Sequence, residues 1–106
     1  MEGPFAGNPM VLVTLNAPRE KFWGRVLSIG AAGISLRGID IQAFDELLRS
    51  VRAGDPFQAA TVFFPMHRVE RVELDIRNGE IPALAERFQE RTGHDVLTLM
   101  SAGGRD

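Results

Sequence analysis

Neither cysteine nor tyrosine occurs in this chain of 106 residues. The first absence excludes disulfides, zinc–thiolate centres and cysteine nucleophiles, and the second removes phenolic acid–base chemistry. Charge of one sign is not in excess, since 12 basic residues face 14 acidic ones for a net charge of −2. That balance argues against a broadly cationic binder of long nucleic acid but leaves room for a local basic patch. Long apolar runs are missing as well, and nothing approaches the roughly 20 residues that cross a bilayer. Met1-Glu2-Gly3-Pro4 lacks the basic flank of a signal peptide, so a cytoplasmic protein without a membrane partner is expected. What is present, 44% hydrophobic and 25% charged residues with eleven Gly and six Pro, suits one domain with a single core.

Residues 1–9 are punctuated by Gly and Pro and are expected to form a flexible arm. Met10–Leu15 is a β-branched apolar run that reads as a strand, closed by a turn at Asn16–Glu20. From Lys21, Phe22, Gly24 and Val26 alternate with Lys21, Trp23 and Arg25. After Val26 the phase shifts, putting Leu27 and Ile29 on the formerly polar face, and Gly24 is placed to let the strand bend. Gly30–Gly33 is a short turn before a third strand over residues 34–39, giving an antiparallel meander.

The period then becomes helical. Ile41, Phe44, Leu47, Leu48 and Val51 share one face, Asp40 is a suitable N-cap, and Gly54 ends the helix. Thr61–Phe64 and residues 69–76 are the next strands, with Val69 out of phase with Val72 unless a tight turn or bulge lies at Met66–Glu70. Asn78-Gly79 turns the chain into a second helix over Pro82–Thr92, with Ile81, Leu84, Ala85 and Phe88 on its apolar side. Asp95–Met100 alternates like a short sixth strand, and residues 101–106 form a tail.

Five short strands grouped as three and two resemble the Sm-like small barrel of the Sm, LSm and Hfq proteins, across residues 10–76. The residues that carry the resemblance are Phe22-Trp23-Gly24-Arg25-Val26, then Ile29, Ile34 and Leu36, then Val62 through Val72 with His67 at the family's histidine position. The resemblance implies a mainly β protein, a five-stranded bent antiparallel small barrel, with one helix (40–54) inserted between strands three and four and another after strand five. Where the family carries the Asp and Asn of its nucleobase pocket, this chain has Gly30 and Gly33, and Pro65 and Met66 replace the aromatic and basic residues before the histidine.

The resemblance further implies a homo-oligomeric ring joined by edge strands, with Val62, Phe63, Phe64, Val69 and Val72 at the interface. Weak contact with short single-stranded RNA is implied at the pore-facing turn, through His67, Arg68 and Arg37. Each has a plainer reading: His67 as a turn residue, Arg68 and Arg37 as ion-pair partners of Glu70 or Asp40. Trp23 beside Lys21 and Arg25 is either a stacking platform for a base or the cover for a helix. The alternative function is a non-enzymatic structural or regulatory scaffold that binds another protein through the added helices. With two His, no nucleophile elbow and no phosphate loop, no catalytic residue, metal or cofactor is expected.

Overall fold

The computed structural model describes residues 3–57 and 59–101. The calls at residues 1 and 2 of the arm and 102–106 of the tail lie outside the described residues. The chain is mainly β: strands β1 (Met10–Leu15), β2 (Glu20–Ile29), β3 (Gly33–Asp40), β4 (Ala60–Pro65) and β5 (Val69–Leu74) form one antiparallel sheet in the order β4-β3-β2-β1-β5. Helix α1 (Phe44–Arg52) lies between β3 and β4, and α2 (Leu84–Thr92) and α3 (Val96–Leu99) follow β5. Among the described residues no helix is long and apolar enough to cross a membrane.

Alternation along each strand divides the apolar residues between two clusters, one on each face. The inner cluster holds Val11, Val13 and Leu15 of β1, Phe22 and Val26 of β2 and Ile34 and Leu36 of β3, joined by Val62 and Phe64 of β4 and Val69, Val72 and Leu74 of β5. One cluster fed by all five strands requires the sheet to curl around it, and the Phe22 and Phe64 rings, two strands apart, meet edge-on at 5.4 Å. Gly24 and Gly38 stand opposite each other on β2 and β3, with their backbones in close approach. A Cβ on Gly24 would lie 2.6 Å from the Arg37 carbonyl oxygen, and one on Gly38 would overlap the Trp23 carbonyl and the Gly24 Cα.

The two phase slips in the sequence are register shifts. Pairing of β2 with β3 shifts between Val26 and Ser28, so the extra residue returns Ile29 to the inner cluster instead of leaving it on the outer face. Pairing of β1 with β5 shifts between Thr14 and Leu15, after a 3₁₀ turn at Met66–Arg68, which lets Val69 and Val72 both point inward.

The outer cluster forms where α1, α2 and α3 cover the sheet around Trp23, which is fully buried. Trp23 meets Phe44 of α1 edge-on at 5.3 Å and Phe88 of α2 at 6.5 Å. The apolar stripe of α1 is therefore spent on its own sheet. Asp40 caps as expected, but the turn it starts is 3₁₀ over Ile41–Ala43 before α1 begins, and its side chain accepts from the Gln42 N–H at 2.8 Å. Gly54 and Gly93 follow α1 and α2 with φ of 79° each, the left-handed conformation that glycine adopts without strain.

Three expectations are corrected. Asp95–Met100 is not a sixth strand: Asp95 accepts from the Leu97 N–H at 3.0 Å and starts α3, which buries Val96 and Met100 one helical turn apart. The fifth strand stops at Leu74 and leaves Ile76 exposed, because Asp75 turns away to meet α2. Ile81 is exposed too, since α2 begins at Leu84.

Candidate functional site

Among the described residues β4 pairs with β3 alone and β5 with β1 alone, so both ends of the sheet are open edges. The register tells which backbone groups face outward. Met66 N–H donates to Ala32 O at 2.9 Å, which makes that pair a hydrogen-bonded one. In an antiparallel ladder such pairs alternate with unbonded ones, so Phe64 and Val62 also turn their polar groups to β3, while Phe63 and Thr61 turn theirs outward. On β5, Asp75 N–H donates to Met10 O at 3.0 Å, and the same alternation turns Val72 and Leu74 outward.

The five residues assigned to an interface therefore divide. Val62, Phe64, Val69 and Val72 direct their side chains into the inner cluster, and only backbone groups of Val72 face the edge. Phe63 is 55% exposed, with its ring lying beside Gly33, where a Cβ would be 2.6 Å from the ring tip. Met66, just beyond the strand, is exposed as well. The β4 edge has no lysine, the common guard of exposed strand edges.

The three residues assigned to RNA are not brought together. His67 is exposed on the 3₁₀ turn between β4 and β5. Arg68, its neighbour, faces the β1–β2 turn: Nε donates to Asn16 O at 2.9 Å, one terminal nitrogen donates to Pro18 O at 2.8 Å, and Glu20 lies 3.8 Å away. Asn16 N–H donates back to Arg68 O at 2.9 Å, so this arginine clasps one turn to another. Its ion-pair partner is Glu20, while Glu70 pairs with Arg19. Arg37 lies on β3 and donates to Thr61 Oγ1 at 2.9 Å. The burial of Trp23 takes it away from any base, although Lys21 beside it is exposed.

Asp75 is the polar centre that sequence reasoning missed, because it reads as one more acidic residue on a solvated strand. One carboxylate oxygen accepts from Trp23 Nε1 at 2.9 Å and from Ala85 N–H at 2.9 Å, and the other accepts from Leu84 N–H at 2.8 Å. Helix α2 has Ala83 at its N-cap, with no side-chain oxygen to accept from its first turn. Asp75 supplies that acceptor from the sheet, and its charge suits the helix N-terminus. Glu86 completes the cap by accepting from Ala83 N–H at 2.8 Å; this bond, aided by Arg77, holds its carboxyl below the usual range. The only clue in the sequence is spacing: Asp75 precedes by several residues a helix that lacks a capping side chain.

No protein-family model, no curated protein and no solved structure matches this chain.

Proposed function

We propose that the chain is a subunit of a homo-oligomeric ring of Sm-like small barrels, joined by the β4 edge of one copy pairing with the β5 edge of the next. The observation that carries this reading is the pair of open edges on one curled sheet, with outward backbone groups at Thr61 and Phe63 on β4 and at Val72 and Leu74 on β5. Two different edges make a head-to-tail contact, which repeats until rotation closes it. The strand order and the 3₁₀ turn between β4 and β5 support the resemblance drawn from the sequence. The helices spend their apolar faces on their own sheet, which favours assembly through the edges over recruitment of a protein through the helices.

Phe63→Pro tests the pairing. The Phe63 N–H points away from β3, so proline there removes a donor from the outer edge and not from the sheet itself. The expected result is a fall to monomer mass by light scattering with the far-ultraviolet circular dichroism of wild type. A folded variant that keeps the wild-type mass would show that β4 is not the contact.

A second reading, weak contact with short single-stranded RNA, is favoured by the exposed imidazole of His67. A ring would repeat it once per subunit around one axis. His67→Ala is the suitable variant, since Arg68 is occupied in clasping a turn. Loss of oligouridine or oligoadenosine anisotropy with unchanged mass is the expected result. No binding by wild type at low salt would leave the scaffold reading in its place.

A further inference from the structure

The ring of Phe63 belongs to neither apolar cluster of its own sheet. Val62 and Phe64 on either side of it point into the inner cluster, so Phe63 stands on the outer face, with its ring beside Gly33. The two edges differ in which face their outward residues carry. Thr61 and Phe63, whose backbone groups turn outward on β4, have outer-face side chains. Val72 and Leu74, whose backbone groups turn outward on β5, have inner-cluster side chains. Directly opposed residues of an antiparallel pair share one face. Antiparallel pairing of β4 with β5 of another copy therefore brings the outer face of one beside the inner side of the other. Parallel pairing would keep like faces together and set Phe63 among Arg71 and Glu73, which form an ion pair at 3.4 Å.

We infer that β4 pairs antiparallel with β5 of the next copy, Phe63 opposite Val72 and Thr61 opposite Leu74, so that each copy's Phe63 completes its neighbour's inner cluster. This contact rests on the ring proposed above and gives it a direction, a register and an anchor. Phe63 is 55% exposed in a single copy, while Val72 and Leu74 are half-buried at the edge of the inner cluster. The apolar ring and the open margin of the cluster thus cover each other, removing both from water. The register uses both outward residues of each edge. A shift one way sets Phe63 against the charged Glu70, and a shift the other way sets Thr61 against Ile76, beyond the end of β5.

Cysteine cross-linking of the full chain tests the contact, because the protein has no cysteine of its own. Opposed, hydrogen-bonded residues of an antiparallel pair lie about 5.5 Å apart at Cα, inside the range that a disulfide spans. Phe63→Cys/Val72→Cys and Thr61→Cys/Leu74→Cys are each expected to oxidise into a ladder of covalent oligomers on a non-reducing denaturing gel. Phe63→Cys alone should give dimers at most. The second pair keeps the Phe63 ring, so it does not depend on the contact that the first pair gives up. Phe63→Cys/Glu73→Cys, the pair that parallel strands would join, is expected to stay mostly monomeric on the gel. Circular dichroism of the reduced variants checks that each is folded. Where wild type is oligomeric by light scattering, a ladder from Phe63→Cys/Glu73→Cys alone, or from no pair, would overturn the antiparallel contact and leave the ring standing. A monomeric wild type would overturn the ring, and this contact with it.

Discussion

Asp75→Ala is expected to remove about 3 kcal/mol of stability. The carboxylate accepts three hydrogen bonds at 2.8–2.9 Å, from Trp23 Nε1 and from the first two amides of α2. Truncation leaves the indole N–H of a fully buried tryptophan without a partner and leaves the Leu84 and Ala85 amides of α2 without their acceptor, since Ala83 offers no side-chain oxygen. An unsatisfied buried donor alone costs about 1–3 kcal/mol, and losing a charged cap adds roughly another 1 kcal/mol. In a domain of this size that corresponds to a fall in Tm of roughly 12–20 °C. Asp75→Asn keeps one accepting oxygen and should fall about halfway. The tryptophan emission of Asp75→Ala should also shift, since Trp23 is the sole tryptophan. A Tm within a few degrees of wild type would remove Asp75 from this role.

Gly38→Ala is expected to cost about 2–4 kcal/mol, with Gly24→Val comparable or worse, as overpacking against backbone does. An added Cβ at either position would meet main-chain atoms of the opposite strand, which cannot swing away as the end of a side chain can. The strands must separate, and with them the curl that closes the inner cluster. Gly30→Ala is the control, because its Cβ would meet nothing within 4 Å. Denaturant unfolding of the three variants should therefore show Gly30→Ala within about 0.5 kcal/mol of wild type and the other two far below it. Similar midpoints for Gly38→Ala and Gly30→Ala would mean that β2 and β3 are not so closely apposed.

Much of the strand pattern was legible because alternation is a local property. Phe22, Gly24 and Val26 could be assigned to one face from their spacing alone, and Gly24 to a bend from its missing side chain. The phase slip at Val69 and Val72 announced an irregularity, which the 3₁₀ turn and the register shift supply. The slip after Val26 reads in the sequence as a change of face, since a sequence cannot tell a bulge from a reversal without the partner strand. At Asp95–Met100, a period of two over six residues suited a strand. The burial of Val96 and Met100 against the outer cluster, together with the Asp95 cap, selected a helix.

Composition and periodicity by themselves determined a β-rich chain with a three-strand meander, a helix after it and no thiol chemistry. These follow from neighbours in the sequence, whose preferences survive in any tertiary setting. Only the tertiary structure decided which polar groups are occupied. Arg68 and Asp75 look free on paper, yet one clasps the β1–β2 turn and the other caps a helix from the sheet. Arg25 and Arg37 are twelve residues apart in the chain but directly opposed across two strands, a juxtaposition set by register. The reason is that hydrogen bonding and charge pairing depend on which groups the folded backbone brings within about 3–4 Å, and that depends on strand order and register, which local preference does not specify.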